Sequence, residues 1–332
     1  MGDITTVGID LAKNTFSVHG IDEAGTVLFR RAVSRNKLPV LVAQLPPCRI
    51  GMEACSGAHE WARRFGQFGH TVKLIAPKFV TPYRKSGKND GNDAEAICEA
   101  VARPNMRFIP IKTVEQQSDL GLHRVRQGFI EDRTASINRV RGLLAEFGHV
   151  LPNGSIQVRR RARELLEQLP TRIARCLRDL LDHIEGLTTK IVEYEREIEM
   201  HVRQNPLAKR AQTRSGIGPM TASAIVASVG NGHDFKNGRQ FAAWLGLVPR
   251  QYSTGGKTRL GHITKRGDGY LRTLLIMGAR AVLQRAAYNT DPLSRWALAL
   301  KQRRGYHRAC VAVAAKNARV AWALISKEPA AA

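Results

Sequence analysis

The chain opens with short apolar runs separated by turns. Residues 4–10 (ITTVGID) read as a buried strand and 15–22 (TFSVHGID) as a second. The turn DEAGT follows, and 27–33 (VLFRRAV) read as a third strand. A helical stretch near 36–45 stops at Pro46-Pro47, and CRIGME at 48–53 returns to strand. A helix is predicted near 57–69, followed by the strand TVKLIA. The order β-β-β-α-β-α-β predicts a mixed sheet flanked by helices.

From about 113 to 147 the periodicity predicts one long helix closed by Gly148. Beyond Pro170, apolar side chains recur three and four apart at Ile173, Leu177, Leu180, Ile184, Leu187, Ile191, Tyr194 and Ile198. This narrow seam fits a coiled coil between subunits, and equally an amphipathic helix packed on its own domain. Asn205-Pro206 ends the helix. The remainder reads as mostly helical, with a Gly-rich, basic interruption at 253–269 and a frayed tail at Pro329–Ala332. Phe241, Trp244, Leu245 and Leu247 read as core. No run of ~18 apolar residues stands out, and MGDITTVGID has the form of neither a signal peptide nor a basic presequence.

Charge changes the picture. The formal net charge is +24 over 332 residues, which calls for a polyanionic partner, nucleic acid before membrane. Residues 205–332 carry 21 Lys/Arg against 4 Asp/Glu, a net +17, whereas residues 1–100 carry 13 against 10. The electrostatic footprint therefore lies in the C-terminal third, and acids gather toward the N-terminus. The five cysteines show no CxxC spacing, so neither a zinc site nor a disulfide framework is implied; scattered thiols suit a reducing, cytosolic setting.

Four of those acids sit at element ends. Asp10 ends the first strand (VGIDLAKNTF), Glu53 ends a later one (IGMEACSG), and Asp90 and Asp93 (KNDGNDAEA) stand where a helix begins, Asp90 as a candidate N-cap. Each acid alone reads as a turn or cap residue. Four together repel unless a cation binds, and hard oxygen donors suit Mg²⁺ or Mn²⁺. Two such ions can clamp the attacking and leaving oxygens of a phosphodiester. A strand ending in GID also opens sugar kinases and actin-like ATPases, but the Gly/Thr-rich nucleotide loop they need is not evident here.

The quartet in GIDLAKN, GMEACSG and KNDGNDA resembles the DEDD motif of the insertion-sequence-110 family of transposases. Cys55-Ser56-Gly57 departs from the Thr-Gly more usual after the Glu-Ala. The resemblance implies a RuvC-like, RNase H-like N-terminal domain with Asp10, Glu53, Asp90 and Asp93 as catalytic metal ligands. It extends to the C-terminal part, where GLVPRQYSTGGK…KRG…LR matches closely. There it implies a serine nucleophile, Ser253, with Thr254 as the alternative because the match slips by one residue. It also implies a composite site of both domains, within or between subunits, and a structured noncoding guide RNA.

The residues themselves add nucleic-acid contacts. The turn of Gly216 and Gly218 before a small-residue helix is similar to half a helix-hairpin-helix, whose free N–H groups face phosphate. Gln251–Gly269 reads as a polar loop whose Lys257, Arg259, His262, Lys265 and Arg266 can lie along a sugar-phosphate backbone, with Lys257 and Arg259 offering charge to the phosphate at Ser253.

The combined expectation is an α/β plus α protein in three parts. Residues 1–112 form the catalytic domain, 113–204 a helical or coiled-coil connector, and 205–332 a basic, mostly helical domain carrying the serine. It would recombine donor and target double-stranded DNA at the bacterial nucleoid as a dimer or tetramer, with no membrane partner. The alternatives are a hydrolytic RuvC-like junction endonuclease using the carboxylates alone, and a non-catalytic DNA-binding protein.

Overall fold

The computed structural model describes residues 3–85 and 89–327, which divide into two compact units, 1–113 and 114–332. The tail expected to fray at Pro329–Ala332 lies outside the described residues.

The first unit contains a six-stranded sheet in the order β3-β2-β1-β4-β5-β6. Its strands are β1 (Thr6–Asp10), β2 (Thr15–Ile21), β3 (Val27–Ser34), β4 (Arg49–Glu53), β5 (Thr71–Ile75) and β6 (Phe108–Ile109). β1 runs parallel to β4 and β4 to β5, while the β1–β2, β2–β3 and β5–β6 pairs are antiparallel. The helices are α1 (Leu38–Ala43), α2 (Ala58–Gln67), α3 (Pro77–Val80) and α4 (Asp90–Ala102).

Strand alternation sorts the faces. Val7, Ile9, Ile50 and Met52 bury against Leu38, Val42, Trp61 and Phe65 from α1 and α2. The intervening Gly8 and Gly51 meet α4. A Cβ on Gly8 would come within 2.2 Å of the Ala94 carbonyl oxygen, and one on Gly51 within 2.8 Å of Val101 Cβ. Glycine is required on this face because helix and sheet backbones touch. Asp10 and Glu53, two residues beyond these glycines, emerge on the face that α4 covers.

The second unit is helical apart from one ribbon. α5 (Val114–Ala145) and α7 (Thr171–Gln204) run antiparallel, with α6 (Ser155–Leu165) between them in sequence. Leu177, Leu181 and Ile184 of α7 share a core with Val140 and Leu144 of α5 and Val158 and Ala162 of α6. Nearer the other end, Phe129 meets Tyr194 edge to face at 5.6 Å. Of the two readings of the apolar seam, the structure has the intrachain one: much of it is covered by the chain's own helices. Aspartates at Leu180 and Leu187 would therefore strike the fold before any oligomer.

Helices α8 (Pro206–Gln212), α9 (Pro219–Val229), α10 (Gly238–Trp244), α11 (Gly269–Arg285), α12 (Pro292–Arg304) and α13 (Tyr306–Ser326) form the rest of the unit. α9 is buried from Thr221 to Val229, as a helix of small apolar residues should be. Among the described residues one helix, α13, is long and apolar enough to cross a membrane by length and composition, although Lys316 and Arg319 interrupt its apolar residues; here Ala309, Val313, Ala314, Ala318 and Ala321 lie in the core. Phe241, Leu245 and Leu247 are core as expected, whereas Trp244 is 36% exposed.

The largest departure is at 249–263. In place of an irregular loop, β7 (Pro249–Thr254) and β8 (Lys257–Ile263) form an antiparallel hairpin joined by Gly255-Gly256, whose φ values are +55° and +76°. Two consecutive positive φ values are what a two-residue hairpin turn of matching twist demands, and the glycine pair supplies them.

Candidate functional site

Asp10 and Glu53 stand side by side, each one position past the last parallel register pair, Ile9–Met52. Asp90 and Asp93 occupy the first turn of α4. The helix cap is Asn89, not Asp90: its side chain accepts from the Asn92 N–H at 2.8 Å. Asp90 is thereby freed from capping. Asp93 is buried, 7% exposed, and Asp90 is exposed.

The four acids feel one another. Burial, then Asp93, Asp90 and Glu53 in that order, push the Asp10 carboxyl up to about 6, while Arg84 pulls it down. Arg84 Nε donates to Asp93 Oδ1, so a guanidinium already supplies counter-charge at this edge. Among the described residues, no three His, Cys, Asp or Glu side chains stand close enough to hold a metal ion. The expected quartet is thus assembled at one sheet edge but not closed around a single point. Its donor set, all carboxylate oxygens under mutual repulsion, nevertheless fits a hard divalent cation. Arg84 carried no sequence signal, because its pairing with Asp93 depends on the fold.

Ser253 lies on β7 opposite Thr258, solvent-exposed, and its Oγ accepts from Gln251 Nε2 at 2.8 Å. Thr254 lies opposite Lys257, and Tyr252 opposite Arg259. Alternation therefore puts Ser253, Gln251, Thr258 and Leu260 on one face and Tyr252, Thr254, Lys257 and Arg259 on the other. Lys257 and Arg259, expected beside Ser253, project from the opposite face.

Lys265 and Arg266 are exposed in the loop after the ribbon. Lys265 is the one non-glycine with positive φ (53°) among the described residues. Glycine packing holds this loop: a Cβ on Gly246 would fall 2.2 Å from the Arg266 carbonyl oxygen, and one on Gly267 1.8 Å from that of Trp244. Gly216, with φ +88°, is packed against α11 and α13; its Cβ position faces Val282, Asn317 and the Gly278 carbonyl. Asn317 fastens this turn by donating to the Ser215 carbonyl at 2.9 Å and accepting from Arg214 at 2.8 Å. Gly218 precedes α9 with open space around it.

A buried polar network, missed in the sequence, joins three helices. His123 of α5 is within 3.0 Å of Tyr270 Oη and of Ser223 Oγ. Burial, and then Arg126, bring its pKa down to about 4, so the ring is neutral.

Two family models match the chain. A DEDD transposase family model of the IS110 type, described as "Transposase", matches residues 7–149, and the model "Transposase IS116/IS110/IS902 family" matches residues 208–294. The chain is 50% identical over 334 residues to a probable family 20 transposase of Pseudomonas aeruginosa, covering 98% of both chains. It is 42% identical over 328 residues to the transposase for insertion sequence element IS1328 of Yersinia enterocolitica, covering 98% of both. It is 43% identical over 339 residues to the transposase for IS1111A of Coxiella burnetii, covering 99% of this chain and 91% of that one. With two family models and full-length relatives above 40% identity, the chain belongs to the IS110/IS116/IS902 family of insertion-sequence transposases.

Proposed function

We propose that this transposase cuts and rejoins DNA through a covalent phosphoserine at Ser253. Asp10, Glu53, Asp90 and Asp93 would hold Mg²⁺ or Mn²⁺, in an RNase H-like domain of the RuvC type. The observation that carries the carboxylate half is the placement of Asp10 and Glu53 at adjacent strand ends and of Asp90 and Asp93 in the first turn of α4; burial first, and then these three acids, raise the Asp10 carboxyl to about 6. The serine half is supported by the exposure of Ser253 on a ribbon with no third strand among the described residues, where its hydroxyl accepts a hydrogen bond from Gln251.

The step balances. The Ser253 Oγ–phosphorus bond forms, the bond to one deoxyribose oxygen breaks, the serine proton leaves to a base or water, and the departing oxygen takes up a proton. One phosphodiester replaces another, so the reverse attack rejoins the strand without an energy source. A bound divalent cation would supply charge neutralisation at the phosphoryl group. A noncoding RNA of the element would select the DNA sites, the chain acting as a dimer or tetramer with both acid and serine parts serving one reaction.

The test is denaturant trapping of a reaction with labelled DNA. Label fixed to the wild-type chain at Ser253 in the presence of Mg²⁺, and absent from Asp10→Ala, is the expected result. Cleavage without any adduct would favour the hydrolytic endonuclease, and binding without cleavage would favour the architectural reading.

A further inference from the structure

The β7–β8 ribbon has two unlike faces. Residues 249–263 hold three permanent cations, Arg250, Lys257 and Arg259, and no acid. Register and alternation put all three on the face of Tyr252. The Tyr252 ring extends toward Gly261, its Cε2 3.6 Å from where a Cβ would stand, on a position with no side chain of its own. Tyr252, the ribbon's one Phe, Tyr or Trp, is 61% exposed. The opposite face carries Ser253, Gln251, Thr258 and Leu260. Among the described residues no third strand pairs with the ribbon, and every ribbon residue but Ile263 is exposed.

An exposed aromatic among phosphate-pairing cations, on a ribbon that carries no carboxylate of its own, matches the chemistry that grips unpaired nucleotides. A base stacks on the ring, and flanking phosphates meet the cations. Fully paired DNA offers no free base face to the ring. We propose that the Arg250–Tyr252–Lys257–Arg259 face is a stacking platform for an unpaired DNA strand. This deepens the proposed reaction and rests on its nucleic-acid reading. It also separates two tasks: one face of the ribbon holds a strand while the serine is presented from the other.

The experiment uses the full chain and a mixed-sequence single-stranded DNA of about 12 nucleotides carrying 2-aminopurine. Stacking on Tyr252 quenches its fluorescence. Tyr252→Ala is expected to abolish most of the quench and weaken single-strand binding roughly tenfold or more, with binding to a blunt duplex changed less than twofold. Tyr252→Phe should retain the quench, and Leu260→Ala, on the opposite face, should bind like the wild type. Unchanged quenching in Tyr252→Ala, or equal losses on single strand and duplex, overturns the platform. Quenching that persists in a protein forming no adduct leaves the platform standing and removes the serine reaction. No binding of either DNA by the wild type overturns both.

Discussion

Gln251 donates from Nε2 to the Ser253 hydroxyl oxygen across 2.8 Å, along one face of a two-stranded ribbon. The adjacent Thr254 hydroxyl lies on the other face, opposite Lys257. This asymmetry favours Ser253 over Thr254 as the nucleophile. Ser253→Ala should lose the covalent adduct completely while Thr254→Ala keeps it. Gln251→Ala, which releases the hydroxyl from its aimed rotamer, should slow adduct formation by about 10- to 100-fold with DNA affinity unchanged. Quantifying trapped label per minute for the three variants decides the matter; an adduct that survives in Ser253→Ala assigns the chemistry elsewhere.

Arg84 pairs with Asp93, so in the proposed metal site it would compete with the cation for that carboxylate. Its removal leaves the four acids with less counter-charge, so Arg84→Gln should bind Mn²⁺ several-fold more tightly than the wild type, measured by titration calorimetry. An unchanged or weaker affinity would mean that Arg84 organises the acids and does not oppose the ion.

His123 predicts an acid sensitivity. Its folded pKa of about 4 lies below the ordinary 6.5, so between these values the unfolded chain binds a proton that the folded chain refuses. Stability is fully present above 6.5, declines as pH falls through the window, and stops declining from this source below 4. The total is about 3 kcal/mol at most. Urea unfolding of the wild type and His123→Gln at several pH values should give curves whose difference narrows on acidification; parallel curves would exclude the histidine.

Gly278 faces Gly216 so closely that a Cβ would stand 1.9 Å from the Gly216 carbonyl oxygen. Gly278→Ala should cost more than about 2 kcal/mol by separating α11 from the turn. Gly218→Ala, in open space, should cost far less. Thermal melts of the two variants test this, and equal losses would contradict it.

Much of the first unit was legible because its strands are short apolar runs bounded by turns, and because Asp10 and Glu53 sit where those runs stop. The ribbon was not. Both its faces are exposed, so no apolar alternation marked it, and Gly255-Gly256 read as loop composition when the pair was a turn between strands. The seam of α7 was visible, but periodicity cannot say whose helix fills the groove; the positions of Val140 and Leu144 decide that. Arg84, Gln251, Tyr252 and His123 gave no local signal because each acquires its meaning from a partner brought in by folding.

The glycine at position 8 has a genetic consequence. It lets α4 lie directly on β1, and α4 carries two of the acids while β1 carries a third. A methyl group there would displace the helix start from the strand end and so widen the gap between carboxylates that are themselves intact. Under the proposed carboxylate chemistry, copies of such an element would therefore fall silent while every residue of the acidic signature is still spelled correctly, and a census of active copies that checks only those four letters would count dead ones as living.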